Sequence, residues 1–161
     1  MGLDVTNRIL KNDRYKIEYS YLQELEKDRI FCGHDIDHFM SVARICLILC
    51  RNAGIDADED IIYSAALLHD IGRTYEYTRG IPHDTASASL ADEILSQTGC
   101  SSEKKEQIIN LILHHRKKSR TGDSLEELFY TADKKSRNCF CCPALKICNW
   151  PDEKKNLEIE V

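Results

Sequence analysis

Apolar residues along this chain recur at intervals of three and four, and no stretch alternates apolar and polar over the length of a strand. Residues Tyr15 to Ile30 read as a first helix. Between His34 and Ala53, the residues Phe39, Val42, Ala43, Cys46, Leu49 and Cys50 share one helical face, and Gly54 follows where a left-handed C-terminal cap is expected. Asp58, Glu59 and Asp60 suit the N-terminus of the next helix through its dipole. Ile62, Ala65, Ala66 and Leu68 give that helix a buried face, and Gly72 ends it after His69-Asp70-Ile71. A loop with Gly80 and Pro82 leads to a helix over about Asp84 to Thr98, closed by Gly99. Ser101 or Ser102 starts another, running through Ile108, Leu111 and Ile112 to His115. Ser124-Leu125-Glu126-Glu127 forms a capping box, followed by Leu128, Phe129 and Ala132 at helical spacing. The expectation is an all-α fold: a compact single domain over 1–161, built as a bundle of about six helices, with a motif-bearing core over 34–137 and a tail over 138–161.

Composition narrows the class without changing that outline. With 161 residues, 42% hydrophobic and 30% charged, the chain can bury a core, which excludes a disordered or collagen-like protein. A net charge of −5 argues against bulk nucleic-acid binding. No apolar run approaches the roughly 20 residues of a membrane span, and MGLDVTNRIL lacks the basic and apolar blocks of a signal peptide, so a cytoplasmic setting is expected. Met1-Gly2 with Thr6 fits the loose myristoylation pattern, one short enough to match by chance. Eight cysteines are too few for a disulfide scaffold. Cys32, Cys46, Cys50 and Cys100 are scattered, whereas Cys139, Cys141, Cys142 and Cys148 crowd together, and in a reducing compartment such a crowd more often holds metal than forms disulfides.

All six histidines lie between 34 and 115, mostly at expected helix ends, where neighbouring residues can turn toward one point. His69 shares a stripe with Ile62 and Ala65 or Ala66, His115 with Ile108 and Leu111 or Ile112, and Asp133 lies four after Phe129. Imidazoles and carboxylates converging from inward faces need partners, and a bound cation supplies one. The ordered set His38, His69-Asp70 and Asp133 resembles the signature of the HD-domain superfamily of metal-dependent phosphohydrolases. Its contexts are His38-Phe-Met-Ser-Val42-Ala43-Arg44, Ala65-Ala66-Leu67-Leu68-His69-Asp70-Ile71-Gly72 and Tyr130-Thr131-Ala132-Asp133. The resemblance runs from 38 to 133 and implies an all-helical fold in which these four residues bind metal. It also implies a second ion, held by His83 and by His114 or His115, with His114 preferred and Asp70 bridging the two ions.

Other features receive plainer readings. Gly33-His34-Asp35 reads as a helix cap rather than a ligand. The run from Asp56 to Asp60 lacks the glycine and terminal glutamate of a calcium loop, and no phosphate-cradling or dinucleotide fingerprint is present. Basic residues follow three of the motif pieces: Arg73, then Arg116-Lys117-Lys118-Ser119-Arg120, then Lys134, Lys135 and Arg137. They suggest a positive rim for a phosphate, against the plain alternative of solvated helix ends. In the tail, Cys139, Cys142 and Cys148 offer three thiolates for zinc or an iron–sulfur cluster, with Cys141, or Cys32 or Cys100 if folded nearby, as a fourth; free thiols packed beside Trp150 are the alternative.

Imidazole and carboxylate ligands suit iron, manganese, zinc, cobalt or nickel. The expected function is hydrolysis of a nucleotide or another small phosphate ester by metal-activated water, with Asp70, Arg73 and Lys134 as catalytic residues. The alternatives are a di-iron oxygenase, as in a minority of proteins the chain resembles, and a non-catalytic metal- or nucleotide-binding sensor.

Overall fold

The computed structural model describes residues 2–117 and 124–160. Eight α-helices and no strands occur among them: α1 Asp4–Lys11, α2 Asp13–Glu26, α3 Ile36–Asn52, α4 Glu59–Leu68, α5 Arg73–Arg79, α6 His83–Ser96, α7 Ser102–His114 and α8 Leu125–Lys135. Three 3-10 turns then form the tail. The all-α expectation holds, and the expected stops stand at Gly54 and Gly99, both with positive φ. Ser101 and Ser124 cap α7 and α8 through the backbone amides of Lys104 and Glu127.

Two helices escape the periodicity. α5 buries only Thr74, so its polar sequence carries no apolar stripe. At the start of α1, Leu3 makes no side-chain cap; instead Asp60, far along the chain, accepts the amides of Val5 (3.1 Å) and Thr6 (2.9 Å) and the Thr6 hydroxyl (2.7 Å). The acidic run at 56–60 is thereby spent on structure, since Asp58 also caps α4 through the Asp60 amide.

α4 lies at the centre. Eight of its ten residues are buried, so its apolar surface is not one face but nearly the whole cylinder, as in a helix surrounded by others. It packs against α1, α3, α6 and α7, while α3 also packs along α8 and α6 along α7. Small residues Ser64, Ala65 and Ala66 let these neighbours come close. The last turn of α4 therefore delivers His69 and Asp70 into the middle of the bundle, where they are almost fully buried.

Candidate metal centre

Five elements bring side chains to the end of α4. His38 stands in the first turn of α3, where Asp35 accepts its amide at 2.9 Å. His69 and Asp70 occupy the turn after α4, His83 opens α6, His115 caps α7, and Asp133 lies in the last turns of α8. Gly72 allows the turn to approach α6. A Cβ there would stand 2.3 Å from the Ser87 amide and 2.6 Å from the His83 carbonyl, and the Gly72 amide donates to Ser87 Oγ at 2.8 Å.

The polar atoms form two groups that share Asp70. Around Asp70 Oδ2 stand His69 Nε2 at 3.1 Å and His38 Nε2 at 3.5 Å, and Asp133 Oδ1 lies 3.4 Å from His38 and 3.6 Å from His69. Around Asp70 Oδ1 stand His83 Nε2 at 3.3 Å and His115 Nε2 at 3.7 Å. Ligands about 2.1 Å from a common ion sit about 3.0 to 3.4 Å from one another, close to these spacings.

Each imidazole is oriented from behind. Nδ1 of His69 donates to the Ala66 carbonyl (2.8 Å), Nδ1 of His115 to the Ile112 carbonyl (2.5 Å), and Nδ1 of His83 to Glu76 (2.6 Å). The Ser136 hydroxyl gives its proton to the Asp133 carbonyl (2.7 Å), so its oxygen accepts from His38 Nδ1 (3.0 Å). With the proton on Nδ1, every Nε2 presents a lone pair inward, the tautomer a metal ligand requires. Nε2 of His38, Nε2 of His69, Oδ2 of Asp70 and Oδ1 of Asp133 are buried without any hydrogen-bond partner. The Nε2 atoms of His83 and His115 face each other at 3.2 Å. Orphaned acceptors gathered in this way are costly unless a cation lies among them, so the donor set fits one divalent ion in each group.

Without an ion, a proton on His69 supplies part of the missing positive charge. Burial works against a charged His69, yet Asp70 and Asp133 outweigh it and raise its pKa to about 9. Both carboxyls, despite burial, are held well below the usual range, Asp70 chiefly by His69 and Arg73 and Asp133 chiefly by His38 and His69. Burial lowers His83.

The structure brings together His38, His69, Asp70, His83 and Asp133 of the candidates read from the sequence. His114 does not: it is exposed at the end of α7, its Nδ1 on the Asn110 carbonyl at 2.7 Å, and His115 takes the inward place. Arg73 Nε lies on Asp70 Oδ1 at 2.9 Å and Lys134 Nζ on Asp133 Oδ2 at 2.5 Å, so both cations grip the carboxylates themselves. Arg116 pairs with Asp84 at 3.4 Å, and Lys118 and Arg120 of the expected rim lie outside the described residues, as does Met1 of the myristoylation pattern. The tail cysteines belong to neither group, although Cys139, Cys141 and Cys142 share a cavity wall with His38.

His34 was missed as a neighbour of the site. The cap is Asp35; the His34 ring is 2% exposed, donates Nδ1 to Glu26 at 2.5 Å and points Nε2 toward Asp70 Oδ2 at 3.7 Å. Burial lowers its pKa to about 4, while Glu26, despite burial, is pulled down to about 2 by His34. Its four-residue spacing from His38 was the available signal.

A helical bundle that gathers histidines and aspartates from five elements around a helix-end His-Asp pair defines a class of metal-binding helical domains. The HD domain family model matches residues 35–141, and the chain belongs to that family. It is 39% identical over 157 residues to an uncharacterized protein of Clostridium beijerinckii, covering 98% of this chain and 99% of that one. The crystal structure of a predicted HD superfamily hydrolase from an uncultured Thermotogales bacterium shares the fold, with a TM-score of 0.60 and 22% identity over 88% of this chain and 81% of that one.

Proposed function

We propose that the protein is a metal-dependent phosphohydrolase acting on a nucleotide or another small phosphate ester. The observation that carries this reading is Asp70, whose two oxygens face two separate groups of inward-pointing imidazoles. His38, His69 and Asp133 would hold one ion, His83 and His115 the other, and Asp70 would bridge them. Divalent iron, manganese, zinc, cobalt or nickel bound there would activate a water and polarise a phosphoryl oxygen. Arg73 and Lys134 tie down the carboxylates and leave cationic groups at the rim, where they favour an anionic substrate. Residues Arg116 and Lys117, exposed beyond His115, extend that rim. Among the described residues no helix is long and apolar enough to cross a membrane. The eight cysteines, all free, support a reducing, cytoplasmic setting.

A hydrolysis screen over nucleotides and small phosphate esters, with metal analysis of the same sample, tests the proposal. Phosphate release that rises with metal content is expected. Metal-loaded protein that binds nucleotides without turnover, or iron-loaded protein that consumes oxygen without releasing phosphate, overturns it.

A further inference from the structure

The tail beyond α8 has almost no core of its own. Of residues 138–160 only Cys139 and Ala144 are buried, while Phe140, Ile147, Leu157 and Ile159 are exposed. The segment nevertheless folds back in three 3-10 turns, Cys139–Cys141, Leu145–Ile147 and Asp152–Lys154. Asn156 fastens it, donating Nδ2 to the Lys134 carbonyl at 2.7 Å and the Arg137 carbonyl at 2.8 Å and accepting the Phe140 amide at 3.0 Å. A short irregular segment without apolar burial commonly relies on a covalent or metal staple. The cysteines form no disulfide.

The thiols are not spread at random. A cavity of about 400 Å³ lies between the tail and the loop ahead of α3, with Cys32, Cys139, Cys141 and Cys142 in its wall. Arg137 Nη1 donates to the Gly33 carbonyl and Arg29 Nε to the Cys32 carbonyl, both at 2.8 Å, so the loop is held facing the tail. Burial, together with the neighbouring Cys139 and Cys142 sulfurs, raises the Cys32 pKa, and the Arg137 cation opposes them. Cys148 closes the second turn, Leu145–Ile147, which packs against the first, Cys139–Cys141, so Cys148 and Cys139 lie on touching turns. Arg137 therefore stands beside the thiols in the cavity wall, a cation suited to a negatively charged ligand set. Cys32, Cys139 and Cys142 line this region and Cys148 follows on the adjoining turn, without their sulfurs meeting at one point within 4.8 Å, so an ion would draw them together. Cys141 is exposed and its thiol lies 3.5 Å from the Asn138 carbonyl, and Cys100 lies at the α6–α7 junction among Asp60, Lys104 and Lys105.

We infer that Cys32, Cys139, Cys142 and Cys148 hold a thiolate-bound metal centre, either zinc or an iron–sulfur cluster, that pins the tail to the loop before α3 and is separate from the histidine–aspartate centre. Four thiolates suit either occupant, and both deprotonate their ligands. Neither needs the hydrolytic centre to be correct.

The test uses the full-length chain, purified anaerobically and analysed for zinc, iron and acid-labile sulfide. Metal-free wild-type protein is then offered cobalt(II) alone, or ferrous iron with sulfide. Thiolate-to-cobalt charge-transfer absorption marks a zinc-type site, and the histidine–aspartate centre has no sulfur to produce it. Visible absorption with matching iron and sulfide marks a cluster. Neither signal in wild type overturns the inference without any variant having to fold. Cys32→Ser and Cys139→Ser/Cys148→Ser are expected to lose the signal and to expose the tail to protease, with helical circular dichroism kept, while Cys141→Ser keeps both. Retention of the signal in Cys32→Ser with loss in Cys141→Ser overturns the ligand assignment.

Discussion

His114 and His115 are neighbours at the end of α7, and the helix sends them to different environments, one exposed and one 1% exposed. His115→Ala is expected to remove one of two ions per chain and most hydrolysis, whereas His114→Ala leaves metal content unchanged. Metal analysis of the two variants decides it, and equal losses would sink the assignment. A subtler effect belongs to Ser136, which touches no ion but sets the tautomer of His38. Ser136→Ala should weaken metal binding by about 10- to 100-fold with helicity intact, as measured by competition with a chelator. Residues of this kind mark the limit of what the sequence shows. His38, His69, Asp70 and Asp133 are legible because their order and helix-end positions form a recognisable series. Glu26, Glu76 and Ser136 are not, because a hydrogen-bond partner needs only a suitable oxygen in the right place, and no spacing announces it.

Among the elements, those with a long apolar stripe were legible to within a few residues, and those held by single polar contacts were not. α1 is short, with only Val5 and Ile9 as apolar residues on its buried face and its start fixed by Asp60, and α5 follows directly from a close turn with no apolar stripe. Gly72 connects that turn to function. Its φ of −71° suits any residue, so the glycine serves space rather than backbone freedom. Gly72→Ala must push α6 away from the His69-Asp70 turn, which should cost about 1–3 kcal/mol by overpacking. Because His83 moves with α6, the variant should also lose the ion held by His83 and His115 before the one held by His38, His69 and Asp133. Thermal melts and metal counts test the two effects together, and a variant that keeps both ions and its melting temperature refutes the role given to the glycine.

For the whole molecule, the buried ionisable groups set a pH profile that metal should change. In metal-free protein His69 has a pKa raised to about 9 from its ordinary 6.5. Its stabilisation is therefore full below 6.5 and lost as pH rises through 9. His34, lowered to about 4 by burial, acts in the opposite sense, costing stability as pH falls from 6.5 to 4. Chelated protein should melt highest near pH 6.5 and lower on both sides. Metal-loaded protein should not lose stability on the alkaline side, because the ion replaces the proton on His69. A chelated sample with a constant melting temperature from pH 6.5 to 9 would contradict this. The cage of tethered imidazoles also has a kinetic consequence. His38, His69, Asp70, His83, His115 and Asp133 are at most 7% exposed, and each ring is locked from behind, so an ion that substrate can reach still leaves only when several fixed ligands let go together. Exchange with free metal should therefore be slow, and the ion captured while the chain folds should remain. The metal found after purification would then record the supply available during synthesis rather than the preference of the site, and dialysis against a second metal should alter the content far less than unfolding and refolding in its presence.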